Sequence, residues 1–379
     1  MSAPCIAVTG LAALAVAMGI GRFAFTPILP MMQADAGLSV ADGAWLASAN
    51  YAGYLLGALA AVGMRVRPGP AIRASLLAIG LATLAMGLQR QLLLWILLRA
   101  LAGVASAWVL VFVSIWALER LAQAGRPGLS GTVYAGVGAG IVAAGAGCLL
   151  LMHLHSASDD AWLWLGVLSL AVTAAIWPFL KANAPSKAAP AAGAVALGVR
   201  SAEHWRLVLC YGGFGFGYII PATFLPAMAQ EITPDPQLFG WAWPVFGAAA
   251  VVSTLLAARL KRVMPPRKAW IAGNLVMAAG VVIPLALPGL AGIMTAAFCV
   301  GGTFMVITMA GIEEARRVAG LRAHTLTAAM TSAFALGQIA GPLGASFLAG
   351  SKGEFSQALV VAAAVLAVSS LFLMHGDAK

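Results

Sequence analysis

Charged residues are scarce in this sequence. Only 9% of its 379 residues are Asp, Glu, Lys or Arg, and 62% are hydrophobic, whereas soluble domains carry about 25% charged residues. Folding in water does not account for that deficit. A bilayer core does, because each helical span needs about 20 apolar residues. The composition therefore excludes an ordinary soluble protein and predicts an all-α integral membrane protein.

Sequence patterns for catalysis and cofactor binding are also missing. No Cys-X-X-Cys pair, Cys/His cluster or P-loop occurs, and the Gly-rich string at 212–217 follows no strand. The cysteines lie far apart in apolar segments, as small buried hydrophobes do, at Cys5, Cys148, Cys210 and Cys299. We therefore expect no enzyme activity, no metal ion and no cofactor.

Twelve apolar runs are long enough to be transmembrane helices. The first lacks a basic leader and continues through Met32, so it is interpreted as a span and not as a signal peptide. Only Gln89, Arg90 and Gln91 separate the third run from the fourth. The runs cover residues 5–33, 41–64, 71–88, 91–118, 128–152, 161–180, 205–230, 237–260, 269–287, 290–312, 324–349 and 355–374.

Basic residues predict the orientation of these spans. If both termini are cytoplasmic, 18 of the 22 Lys and Arg residues fall on the cytoplasmic side, and only Arg90 and Lys352 fall on the other side. Such a bias is the usual topology signal. It predicts a multi-pass protein of a bacterial inner membrane, and it explains the net charge of +10 without a nucleic-acid partner. Trp241 and Trp243, near a span end, are assigned to the interfacial aromatic belt.

An internal repeat divides the spans into two sets of six. Residues 19–22 (GIGR) match residues 215–218 (GFGY) at an offset of 196, and both are followed by Leu-Pro and Met. The polar-leaning segment 182–204 reads as a linker. We therefore predict an N-terminal six-helix bundle over 1–181, a cytoplasmic linker over 182–204 and a C-terminal six-helix bundle over 205–379, related by pseudo-symmetry.

Several segments in this order resemble the major facilitator superfamily, and specifically its YbfB/YjiJ branch. They are 19–32 (GIGRFAFTPILPMM), 99–107 (RALAGVASA), 134–140 (YAGVGAG) and 337–342 (GQIAGP). The resemblance implies two six-helix bundles around a central cavity, and a secondary transporter working by alternating access. The family's acid in the loop after the second helix is absent here, where Ala60 and Ala61 follow Gly57, so a gating salt bridge is not carried over.

Only two permanent charges lie well inside the predicted spans. All twelve acids and all five histidines fall in loops or at span ends, which leaves Arg22 and Arg99. These two lie roughly 15 and 12 Å from the outer face at 1.5 Å per residue. Since no buried carboxylate neutralises them, we hypothesise that they contact an anionic substrate. The alternative is that each pairs with helix carbonyls or stacks on aromatic rings, and Arg99 also fits a conformational or proton-related role.

Further polar and small residues accompany the arginines. Asn50, Tyr51, Tyr54, Tyr218 and Gln338 fall in the same depth belt, where they either line a substrate pocket or pack with satisfied polar groups. The glycine pairs and one proline indicate close helix contacts. These contacts lie either at an interface where the two bundles slide or rock against each other, or in static packing. Those residues are Gly136, Gly140, Gly337, Gly341 and Pro342.

A monomeric transporter of a small solute, for which an organic anion fits best, is therefore the leading interpretation. Coupling at the span ends, anion exchange and facilitated diffusion all fit, whereas a proton-coupling carboxylate inside the membrane is not expected. Two rivals stay open. One is an efflux transporter of hydrophobic or drug-like compounds, and the other is a non-transporting membrane receptor. The expected partners are the lipid bilayer and a small-molecule substrate.

Overall fold

The computed structural model describes residues 1–61, 64–180, 186–187, 201–233, 235–320, 323–349 and 355–375. Most of the predicted linker 182–204 lies outside these residues. Helices account for nearly all regular structure. They are α1 (Ala3–Leu14), α2 (Phe25–Asp35), α3 (Val40–Ala61), α4 (Pro68–Met86), α5 (Leu92–Gln123), α6 (Ser130–His153), α7 (Ser158–Ile176), α8 (Ala202–Ile232), α9 (Pro236–Phe239), α10 (Ala242–Val263), α11 (Pro266–Ala286), α12 (Leu290–Ala319), α13 (Ala323–Ala349) and α14 (Ser356–Met374).

The predicted break between the third and fourth runs is present, since α4 ends at Met86 and α5 begins at Leu92. The first predicted run is not one α-helix. A π-helical stretch over Ala15–Ile20 separates α1 from α2. The eighth run is also divided, into the short α9 and the longer α10. A two-residue antiparallel pairing joins β1 (Arg65–Val66) to β2 (Ser186–Lys187).

Within the described ranges, nine helical segments are long and apolar enough to cross a membrane. The helices α3 and α13 fall short of that apolarity because polar side chains, Asn50 and Gln338 among them, lie in their middles. In α10 the apolar part is Ala242–Ala257. Polar groups at membrane depth face a protein interior or a cavity, since lipid cannot satisfy them. The less apolar helices are therefore the ones expected at the centre.

The same set of helix pairings occurs on both sides of the 182–204 segment. Before it, α3 and α4 pack on α5, α4 packs on α7, and α1 packs on α6. After it, α10 and α11 pack on α12, α11 packs on α14, and α8 packs on α13. The main contacts between the two parts of the chain are those of α2 with α8, α3 with α13, and α6 with α10.

The glycine pairs singled out in the sequence hold helices of the same part together. A Cβ on Gly136 would lie 2.2 Å from the Leu11 carbonyl oxygen, and one on Gly140 would lie 2.3 Å from that of Ala15. A Cβ on Gly337 would lie equally close to the backbone of α8, and a Cβ on Gly341 would lie equally close to side chains of α8. The interpretation of these pairs as a seam between the two parts is therefore wrong.

Other glycines and one proline form the contact between α6 and α10. A Cβ on Gly138 would meet Val251 at 2.8 Å, and a Cβ on Gly145 would meet the ring of Pro244 at 2.8 Å. The reciprocal contact is made by Gly247, which faces Ile141. Small residues let two backbones approach closely where no hydrophobic difference between lipid and protein drives association.

Trp243 corrects another expectation. Its side chain is fully buried, and its ring lies 6.3 Å from that of Phe23 and 4.7 Å from that of Phe246. The assignment of Trp243 to an interfacial belt is therefore wrong. The reason is local, because α10 begins at Ala242 and its first turn faces the core. Trp241, just before that turn, is 54% exposed.

Replacing Gly140 by Ala tests the α1–α6 contact. The added methyl group meets backbone that cannot rotate away, so we expect Gly140→Ala to lower the free energy of unfolding by about 1–3 kcal/mol. Thermal unfolding of the purified protein in detergent measures this loss. The control is Gly131→Ala in the same helix, where a Cβ meets nothing within 4 Å. Equal stability of the two variants would contradict the packing described.

Candidate functional site

The first membrane segment is irregular where it passes the centre of the molecule. Gly21 and Phe23 donate their N–H groups five residues back, to Val16 and Met18, instead of four. Pro27 has no N–H to offer Phe23, and the Phe23 carbonyl accepts from Thr26 at 3.2 Å instead. As a result, several carbonyls of this segment lose their usual helical donors. Such π-type interruptions occur frequently at functional sites.

Side chains of neighbouring helices satisfy the released carbonyls. Ser106 donates to the Ala17 oxygen at 2.7 Å. Arg99 donates from Nη2 to the Arg22 oxygen at 2.9 Å and from Nη1 to the Gly21 oxygen at 3.3 Å. The amide nitrogen of Asn50 bridges the oxygens of Gly21 and Arg99, at 3.2 and 2.9 Å. Because lipid offers no donors, these contacts stabilise the irregular turn.

The turn directs the side chain of Arg22 toward the second part of the chain. Its guanidinium lies over the ring of Tyr54, with Cζ 4.0 Å from the centroid, and 5.3 Å from the rings of Tyr51 and Phe23. Nη2 donates a hydrogen bond to Oε1 of Gln338 in α13. Among the described residues no carboxylate pairs with Arg22, although the residue is only 3% exposed. Its charge is held by aromatic faces and one neutral amide.

Gln338 connects this cation to a stack of aromatic rings. Its Nε2 donates to the hydroxyl of Tyr218 at 3.0 Å. The Tyr218 ring is nearly parallel to those of Phe304 and Phe334, with centroids 5.7 Å away in each case. The stack continues from Phe304 to Phe246 at 5.5 Å and then to Trp243, so it reaches Phe23 beside Arg22.

Three further hydrogen bonds cross between the two parts of the chain. Thr26 Oγ1 donates to the Ala222 oxygen at 2.9 Å, a carbonyl that Pro226 leaves without its helical donor. These two residues are 196 positions apart, which is the offset of the sequence repeat. Tyr51 and Thr223 share a hydrogen bond of 3.3 Å. Ser48 Oγ donates to the Ile339 oxygen at 2.9 Å.

All seven candidate substrate-binding residues thus lie in one buried cluster, but the two arginines differ. Arg99 directs its N–H groups at carbonyls and lies over Phe25, with Cζ 5.1 Å from the ring centroid. Both contacts match the alternative considered for each arginine, and Arg22 matches one part of it, because its guanidinium lies over aromatic rings. Both arginines keep Nε without a hydrogen-bond partner among the described residues, but Arg22 donates to a side-chain amide and not to backbone. Asn50 is likewise occupied by backbone, whereas Tyr51, Tyr54, Tyr218 and Gln338 surround or extend the Arg22 site.

The expectation that no acid is buried is wrong. Glu314 has no exposed surface, because α12 continues to Ala319 and does not end near residue 312. Its carboxylate accepts from Arg267 at 2.8 Å and from Arg317 at 2.7 and 2.9 Å, and Arg267 also pairs with Glu203. A sequence signal existed in the i,i+3 spacing of Glu314 and Arg317 near a helix end.

The family comparison agrees with this architecture. No curated protein matches the sequence. The family model described as "uncharacterised MFS-type transporter YbfB" matches residues 14–374, which include all helices from the end of α1 through α14. The chain therefore belongs to this YbfB family of major facilitator superfamily transporters, and it is a multi-pass membrane protein.

Proposed function

We propose that this protein is a secondary transporter of a small organic anion. In this proposal it has twelve membrane spans in two six-helix bundles, 1–181 and 205–379. Both termini and the linker are cytoplasmic, and the membrane is the bacterial inner membrane. Substrate crosses by alternating access, and the Arg22 cluster at the contact of the two bundles is the binding site.

The two-bundle architecture is supported by the repeated helix pairings. Four pairings before the linker recur after it in the same order. The bond from Thr26 to Ala222 adds a second, independent argument, because these residues are equivalent under the 196-residue offset. A residue that touches its own repeat equivalent lies near the axis that relates the two copies. The cross-chain contacts of α2 with α8 therefore lie at the proposed pseudo-twofold axis.

The hydrogen-bond partner of the Arg22 guanidinium supports the anionic substrate. A buried guanidinium is costly unless it is paired, yet among the described residues its hydrogen-bond acceptor is the neutral Gln338 amide. The bond to the amide already has a charged donor, and a carboxylate in its place adds the opposite charge and can accept two parallel N–H bonds from the guanidinium. This single observation carries the proposal.

Replacing Arg22 by Gln tests the anion site directly. Losing a hydrogen bond to a charged group costs about 1.5–3 kcal/mol, so we expect organic carboxylates to bind roughly 10- to 100-fold more weakly. Calorimetric titration of the purified protein measures the affinity. Lys268→Gln removes the same charge from an exposed position and is expected to bind as wild type does. Unchanged affinity in Arg22→Gln across a broad panel of anions would remove the proposed site.

Arg99 is expected to act as a positioning residue and not as a substrate ligand. Arg99→Leu leaves the Arg22 oxygen without its side-chain donor and the Gly21 oxygen with the Asn50 amide alone, and an unsatisfied buried acceptor costs about 1–3 kcal/mol. We therefore expect a lower unfolding temperature in the absence of any ligand, with partial rescue in Arg99→Lys. Arg22→Gln is expected to lose less stability. An Arg99→Leu variant that keeps its stability but loses anion affinity would instead make Arg99 a binding group.

Reporter fusions test the proposed topology. Green fluorescent protein fused after Lys379 is expected to fluoresce, because it folds on the cytoplasmic side, and alkaline phosphatase at the same position is expected to be inactive. Fusions in the loop after α2, near Gly37, are expected to show the opposite pattern. Finding the two chain ends on different sides would contradict an even number of spans.

A further inference from the structure

We propose that the substrate is a monocarboxylate with a flat, aromatic body. The inference rests on the proposed anion site and adds the number of charges and the shape of the ligand. It is carried by two observations. One is that only one of the two central guanidiniums is available, and the other is that a continuous aromatic stack begins and ends at the Arg22 site.

The charge count follows from the hydrogen bonds. Arg99 uses Nη1 and Nη2 on the carbonyls of Gly21 and Arg22, and those bonds hold the irregular turn. Both arginines leave Nε without a partner among the described residues, but the acceptor of Arg22 is a side-chain amide that a ligand can displace, whereas the acceptors of Arg99 are backbone oxygens. One carboxylate therefore compensates the available charge. A second carboxylate on the ligand would be buried without a partner, which costs free energy.

The shape follows from the rings that surround this cation. From Trp243 the stack passes through Phe246 and Phe304 to Tyr218, with interplanar angles of 20°, 27° and 6°. Its two ends reach Arg22, at one end through Phe23 and at the other through Gln338. Phe304 and Phe334 already cover the faces of the Tyr218 ring, so a ligand meets the stack at ring edges, where an aromatic body gains an edge-to-face contact that an aliphatic one does not.

The occupied state follows from the same contacts. The Gln338 oxygen holds the position on Arg22 that a ligand carboxylate takes. Binding therefore exchanges this amide for the carboxylate, while Gln338 can keep its bond to Tyr218. The aromatic body then lies against the edge of the stack, beside the hydroxyl end of Tyr218 that Gln338 contacts.

Four probes separate charge from shape. Benzoate carries one carboxylate on a flat ring, cyclohexanecarboxylate carries the same charge on a puckered ring, phthalate adds a second carboxylate, and benzyl alcohol is flat and neutral. Calorimetric titration of the full-length purified protein is expected to give the tightest binding with benzoate. We expect cyclohexanecarboxylate to bind at least about threefold more weakly, and phthalate and benzyl alcohol at least about tenfold more weakly.

A matched pair of variants tests the stack. Phe304→Leu removes a central ring of the stack and is expected to weaken benzoate roughly 2- to 10-fold, with little change for cyclohexanecarboxylate. Phe298→Leu on the same helix changes a ring that is 63% exposed, and it is expected to bind both probes as wild type does. If Phe304→Leu does not fold, the order of the four probes on the wild-type protein decides alone.

The outcomes distinguish this inference from the proposed function. Suppose that the carboxylates bind through Arg22 but phthalate or cyclohexanecarboxylate binds as tightly as benzoate. The inference of a flat monocarboxylate is then wrong, and the proposed anion site is kept. Equal binding of benzoate in Phe304→Leu and Phe298→Leu has the same meaning. If no carboxylate binds, or if benzyl alcohol binds as tightly as benzoate and Arg22→Gln changes neither, the anion site fails together with this inference. The last result would favour export of hydrophobic compounds.

Discussion

The satisfaction of backbone carbonyls in the first membrane segment is the constraint on which the central cluster depends. Pro27 and the π-helical stretch remove normal helical donors from several carbonyls there. In a bilayer such groups must find donors within the protein. Arg99, Asn50 and Ser106 supply them. The cost of the irregular turn is thereby offset by three neighbouring side chains, and the turn points Arg22 at the second part of the chain.

The same chemistry of missing donors links the two parts of the chain. Pro226 leaves the Ala222 carbonyl free in α8, and Thr26 of α2 donates to it. A proline in a membrane helix is tolerated when a neighbour satisfies the released group, so the proline itself creates an attachment point. The two contacting residues are 196 positions apart, so under the proposed two-bundle arrangement this attachment point lies at the pseudo-twofold axis.

The sequence predicts much of this structure because span length and apolarity are local properties. The positions of the helices, the break before Leu92 and the gathering of Arg22, Tyr54 and Gln338 follow from depth along each span. The different roles of the two arginines cannot be predicted from depth, because they depend on which backbone carbonyls lose their helical donors at the π-helical stretch. The burial of Glu314 does not follow from apolarity either, since apolarity ends before α12 does and one of its two arginine partners, Arg267, comes from the start of α11.

The two parts of the chain contribute different chemistry to the centre. The first part supplies the available cation and the second supplies the aromatic stack, so a ligand that engages both must bridge them. It must also compete with Gln338, whose bond to Arg22 itself joins the two parts. A ligand shifts a conformational equilibrium only through its differential affinity for the states. In the proposed function, exchange of an amide across the interface for a carboxylate is one such difference, and it couples occupancy of the proposed site to the contact between α13 and the first segment.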